Sequence, residues 1–193
     1  MADATKVPLF YTNLAILHRR AFAEAGIHTS FIPQSDLLYQ IYMDFPISMG
    51  GYDFASGPDD PTILHGTVIP TVPGQGFSAR EQHVMGRQKI YATSFDDYEQ
   101  DVYRLMDGAL GSAGFDVERD ITGITVNRWP HGYAYEYNEL WDPADWSPYN
   151  GPHIAGRAQI GRISIANSDA SAYAYVNGAI DAAARAVDEQ VAL

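Results

Sequence analysis

The sequence predicts a mixed α and β chain, with short strands and helices interleaved around one core or a core and a half. Three observations predict it. Of 193 residues, 46% are apolar and 12% aromatic, enough to bury a sizeable core and too apolar for a disordered chain. Short β-rich runs such as Tyr39–Phe45 (YQIYMDF) and Ile121–Val126 (ITGITV) recur between turn-rich stretches. Two Ser-led capping patterns, Ser78 with Glu81 and Ser94 with Asp97, open segments of helical spacing.

In chain order, Val7–Tyr11 reads as a strand. Asn13–Ala25 reads as a helix with Leu14, Ile16, Leu17, Ala21 and Phe22 near one face, stopped by Gly26. Tyr39–Phe45 is a strand ended by Pro46, and residues 53–61 (DFASGPDDP) are loop chemistry. Thr62–Val72 is β-rich but interrupted by prolines, which predicts an edge strand or a strand pair. A helix starts at Ser78. A second, after Ser94, places Tyr98, Val102, Leu105, Met106 and Ala109 on one stripe and ends in Gly111–Gly114. Ile121–Val126 is a strand, Trp129–Tyr149 an aromatic, Pro-rich connection, and Ile160–Ala166 a further strand. The last helix, 173–191, is amphipathic on Val176, Ala179, Ile180, Ala183, Val187 and Val191.

Composition removes several function classes. With 24 Asp and Glu against 12 Lys and Arg the net charge is −12, so little is available to neutralise nucleic-acid phosphates or an anionic membrane surface. The absence of cysteine excludes disulfides, thiolate metal sites and a Cys nucleophile. The start, MADATKVPLF, does not read as a signal peptide, and no apolar run approaches the ~20 residues that span a bilayer. The compartment is cytoplasmic by default, or periplasmic if a partner with an export signal carries the chain.

Gly74-Gln75-Gly76-Phe77-Ser78-Ala79 fits the dinucleotide pattern GxGxxA. Pro70 and Pro73 break the strand it needs, and the cap at Ser78 starts the helix too late, so it reads as a loop. The six histidines show no metal-ligand spacing, and no GxSxG elbow supports a serine hydrolase. Two stretches carry more: Asn127–Tyr137 (NRWPHGYAYEY), and Gly161–Asp169 (GRISIANSD) followed by Tyr173–Ala179. The second reads as a strand, a turn bearing an acid, then a helix. Its helix N-terminus and Asp169 suit a ligand, the first through free N–H groups, the second through a sugar-like hydroxyl. On pattern alone an ordinary βα unit with a surface Asp and core tyrosines is the stronger reading.

These residues resemble the C-terminal flavin-contacting part of flavin amine oxidoreductases, and the whole chain is similar to the C-terminal portion of spermidine dehydrogenase-like flavoproteins. The resemblance rests on NRWPHGYAYEY, on the Asn167-Ser168-Asp169 turn and on the Tyr175–Ala179 helix start. It implies the C-terminal half of a flavin amine oxidase-type fold. Residues 1–120 would belong to the substrate domain, and 121–193 would carry the last strand–helix unit of the FAD domain. The N-terminal GxGxxG Rossmann unit has no counterpart in the chain.

For individual residues, the resemblance implies that Asp169, with Asn167, Ser168, Trp129, Tyr175 and Val176, contacts FAD. Tyr175 would form one aromatic wall before the flavin, and Tyr133 or Tyr135 the opposite one. Lys6 would hold a water at flavin N5, or else it is a solvated tail residue. Glu136, Asp44 and Asp36 become candidates to receive a distal ammonium of a di- or polyamine. The implied whole is a split FAD-dependent amine oxidoreductase in which a companion chain supplies the Rossmann half. The alternative is a binding or scaffold subunit that keeps the fold without the flavin.

Overall fold

Phe10, Thr12, Leu14 and Ile16 are buried while Tyr11, Asn13 and Ala15 between them are half-exposed. That period of two defines strand β1, Leu9–Ile16. The computed structural model describes residues 6–35, 37–140, 142–147 and 149–193; Asp36 lies outside them. The strand therefore runs through Asn13–Ile16, where a helix is expected from sequence, and helix α1 is confined to Arg20–Glu24. Leu14 and Ile16 mimic a helical stripe with Ala21 and Phe22, but their real partners lie across the sheet. The helix stops at Gly26 as expected. Gly26 (φ 70°) donates to the Ala23 carbonyl at 3.1 Å and Ile27 to that of Phe22 at 2.8 Å, a Schellman ending.

Strands β2 (Ser30–Phe31), β3 (Gln40–Met43), β4 (Thr62–Val68) and β5 (Ile121–Trp129) complete a sheet of order β2-β3-β4-β1-β5, antiparallel at every pairing. β4 is thus central rather than an edge strand. Pro70 and Pro73 lie beyond its last residue, where they cost no ladder bond. Gly66 within it is needed for close approach, since a Cβ there would sit 2.8 Å from Leu38 Cδ2. Ile121–Trp129 is the outer neighbour of β1 in this same sheet.

Helices α2 (Ala79–Ala92) and α3 (Phe95–Leu110) begin at the two expected caps. Ser78 N donates to Glu81 Oε2 at 2.8 Å, and Ser94 and Asp97 form a reciprocal capping box. The α3 stripe of Tyr98, Val102, Leu105, Met106 and Leu110 joins Phe10, Leu14, Ile16, Ile41, Leu64 and Val68 in one buried cluster. Phe10 and Tyr98 meet edge to face at 4.6 Å between ring centroids. Each such side chain contributes about 1.5–3 kcal/mol by leaving water. At the far end of this unit, α4 (Val117–Asp120) leads into β5, and Asp120 is fully buried against the Arg119 guanidinium.

The chain divides into two compact units. One comprises Leu9–Thr71 and Gly86–Pro130, the sheet and α3. The other comprises residues 6–8, Val72–Met85 and His131–Leu193. In this second unit lie α5 (Pro152–Gly156), a 3₁₀ turn at Ser168–Ser171 and α6 (Val176–Val191).

Two expectations fail in the second unit. Over Ile160–Ala166 no sheet strand forms among the described residues. Ile160 and Ile163 bridge each other across a turn at Gly161 (φ 58°), which folds the chain back before a ladder can start. Residues 164–166 are irregular and are held by Arg185 Nη2 donating to the Ile165 carbonyl and Gln190 Nε2 donating to Ser164 Oγ at 2.8 Å. In α6 the buried face is Gly178, Ala182 and Ala186, whose small side chains allow close packing, whereas Val176, Ile180, Val187 and Val191 are exposed. The Gly74–Gly76 segment is a loop, with both glycines at positive φ.

Candidate functional site

Lys6 and Asp169 are 163 residues apart and bonded to each other. Lys6 Nζ donates to Asp169 Oδ2 at 2.8 Å, and Tyr135 N donates to Asp169 Oδ1 at 2.7 Å. The turn that presents the carboxylate is built locally. Asn167 caps it, its side chain accepting from Ala170 N at 2.9 Å, and Ala172 closes it in the left-handed region at φ 50°. The three predicted residues Lys6, Tyr135 and Asp169 thus form one node tying together three distant segments of the second unit.

Two cavities flank this node within that unit. One, about 590 Å³, is lined by Lys6, Tyr135, His153, Ile165, Asn167 and Asp169, among others. The other, about 410 Å³, is lined by Lys6, Arg80, His83, Tyr133, Tyr135 and Glu136, among others. Both fall within or near the size range of small-molecule pockets. Glu136 Oε1 accepts from Ala174 N at 3.0 Å, holding the segment before α6. The Tyr173 and Tyr175 rings then meet tilted by 39°, 4.8 Å between centroids, with Tyr173 lying on Gly178, where a Cβ would come within 2.8 Å of the ring. Tyr175 is the N-cap residue of α6 and its own side chain makes no cap bond there; the first N–H groups of a helix have no acceptor within it. Val176, the first residue of α6, is exposed, and Ser168 is half-buried in the 3₁₀ turn.

The remaining predicted residues, Trp129 and Asp44, belong to the sheet unit. Trp129 is an exposed residue at the end of β5. Asp44 follows β3 and closes a hydrogen-bonded row that crosses the sheet. Asn13 Nδ2 donates to Thr125 Oγ1 at 3.1 Å. His65 Nδ1 meets Asn13 Oδ1 at 2.7 Å, and His65 Nε2 meets Asp44 Oδ1 at 3.2 Å. Tyr52 Oη donates to Asp44 Oδ2 at 3.1 Å, and Phe45 N donates to Oδ1 at 2.8 Å. Burial raises the Asp44 carboxyl, but the bonds from His65, Phe45 and Tyr52 outweigh it and hold it below the ordinary carboxylate range.

Sequence reasoning missed His65 and Asn13. The available signal was strand alternation: His65 sits between the buried Leu64 and Gly66, so it faces away from the core, opposite Asn13 in the register.

No protein-family model matches the chain, and no curated protein matches it. Solved structures do. Wild-type putrescine oxidase bound to putrescine superposes with a TM-score of 0.50 and 12% identity, over 97% of this chain and 36% of that chain. A double mutant of putrescine oxidase redesigned in its cofactor binding gives 0.48 and 13%, with the same coverage. The chain has the fold of part of a flavin amine oxidase. It spans about a third of the length of the solved structures it matches.

Proposed function

We propose that this chain is one part of an FAD-dependent amine oxidoreductase, related in function to the spermidine dehydrogenase-like flavoproteins, and that a companion chain carrying the GxGxxG half completes it. The observation that carries the reading is the Lys6–Asp169–Tyr135 node beside the start of α6, on a backbone shared with part of putrescine oxidase. The donor set suits a flavin ring in kind. A helix N-terminus favours negative charge on a ring edge, Tyr133, Tyr135 and Tyr175 offer aromatic walls, and Lys6 is the nearby ammonium. Bound flavin would supply the hydride acceptor; this chain's residues would bind, orient and exclude water.

Surface chemistry supports a partner. Val176, Ile180, Val187 and Val191 on α6, with Ile160 and Ile163 before it, are all more than half exposed, and large apolar residues so grouped mark an interface.

One observation favours the alternative, a scaffold or binding subunit without flavin. Both oxygens of Asp169 are already engaged inside the chain, which leaves its carboxylate less free for a ribityl hydroxyl.

Co-production with the companion chain separates the readings. The enzyme reading expects a yellow complex with a flavin absorbance band, and lower flavin occupancy in Asp169→Ala. A colourless, stable, monomeric product in both preparations, with and without the companion chain, would favour the scaffold reading instead.

A further inference from the structure

The sheet ends differently at its two edges. On one side β2 is two residues long, Ser30–Phe31, too short to offer a ladder. On the other side β5 runs for nine residues, Ile121–Trp129, and among the described residues no strand lies outside it. Of these nine only Ile121 is buried, while Ile124 and Val126 are half-buried. The strand is rich in Ile, Thr and Val, and it has no proline, lysine or acid to blunt it. Its one charge, Arg128, is turned toward α3, where Nη2 donates to the Thr93 carbonyl at 2.9 Å and the guanidinium lies over the Tyr98 ring at 5.9 Å.

The ladder shows which backbone groups face outward. Tyr39 N donates to the Thr67 carbonyl at 2.8 Å and Asp44 N to that of Ile63 at 3.0 Å, so odd-numbered residues of β4 turn their backbone groups toward β3. The alternation passes across the sheet. Even residues of β4 bond even residues of β1, and odd residues of β1 bond odd residues of β5. Ile124, Val126 and Arg128 therefore direct their N–H and C=O away from the sheet. The bulge opposite Ala15 and Ile16 falls at Thr122, before this stretch. Side chains alternate as well. Ile124 and Val126 pack partly against the core, and Thr125 lies on the other face, where Asn13 donates to it.

We infer that β5 pairs antiparallel with β5 of a second copy of this chain, about a two-fold axis at Thr125, joining the two sheets into one. The strand's own sequence argues for a copy as the occupant. The axis sets Ile124 against Val126 of the second copy and, by symmetry, Val126 against Ile124. β-branched side chains then meet on the core-facing side, and each pair is joined by the outward backbone groups. Arg128 falls opposite Thr122, so no like charges face each other across the pair. The net charge of −12 opposes association over the surface as a whole, so added salt strengthens the dimer. The pairing rests on no part of the flavin reading and needs neither flavin nor a companion chain.

The test uses the full chain, which has no native cysteine, so a single introduced thiol can pair only with its own copy. In this register the two Thr125 residues form a pair without mutual hydrogen bonds, with Cα atoms about 4.5 Å apart, within disulfide reach. Asn127, two residues from the axis, lies about 14 Å from its copy. On oxidation Thr125→Cys should therefore give about tenfold or more covalent dimer than Asn127→Cys. Sedimentation equilibrium of the wild-type chain should show a dimer that tightens as salt is raised. Val126→Pro removes an outward N–H and leaves the bonds to β1 in place, so it should weaken dimerisation about tenfold or more. A wild-type chain that stays monomeric up to millimolar concentration overturns the inference. So does equal cross-linking of the two cysteine variants, a dimer that salt dissociates, or one that Val126→Pro leaves intact. If Val126→Pro fails to fold, the two cysteine variants decide by themselves.

Discussion

Replacing Asp169 by alanine tests whether the Lys6–Asp169–Tyr135 node organises the second unit. The substitution removes two bonds. The Lys6 ion pair involves side chains 19% and 36% exposed, so solvent screens it and it contributes about 0.5–1 kcal/mol. The Tyr135 N–H bond to an ionised oxygen at 2.7 Å contributes about 1–2 kcal/mol. The local loss is therefore about 2 kcal/mol, or roughly thirtyfold in the opening equilibrium. Amide hydrogen exchange reads this directly. Protection at the Tyr135 amide should fall by that factor, while amides of β1 and β4 in the sheet unit keep theirs. Asp169→Asn retains one acceptor and loses the charge, so it should fall between wild type and alanine. Unchanged protection at Tyr135 in the alanine variant would refute the node.

Three other outcomes follow from the sheet unit. Asp120 is held below the ordinary carboxylate range by the Arg119 hydrogen bond, so its folded value lies below its unfolded value of about 3.9. Its stabilisation is present above that pH and is lost as pH falls through the folded value. Asp120→Asn should cost about 2 kcal/mol at neutral pH and flatten the acid limb of urea-measured stability. Met106→Ala, which opens a hole under the sheet at a fully buried position, should cost about 2–5 kcal/mol by the same denaturation. Gly26→Ala, which forces a side chain into φ 70°, should lower the thermal midpoint, with a loss of about 1 kcal/mol.

The parts of the fold legible in the sequence were those set by local chemistry. The Ser78 and Ser94 caps, the Gly26 stop and the α3 stripe all depend on residues within a turn or two of each other. What was illegible depended on the other side of a contact. In β1 the polar Thr12 is buried at an inward position, which hides the alternation, and Leu14 and Ile16 then imitate a helix face. In α6 the helix itself was readable, but its buried side was not, because Gly178, Ala182 and Ala186 pack through smallness and leave the larger residues outside. Asp169 stood out from the turn it occupies and Lys6 only through the family resemblance, and no spacing rule links residues so far apart. The His65–Asn13 bond depends on register between β1 and β4, which neither strand encodes alone.

The central claim is that residues around the start of α6 receive a flavin ring. Titrating FAD into the isotopically labelled full chain measures this without enzymatic turnover. The account predicts that amides at Tyr135, Asn167, Asp169, Tyr175 and Val176 move together and saturably, while those of β3 and β4 stay still. FAD at millimolar concentration that leaves these five resonances in place would contradict it.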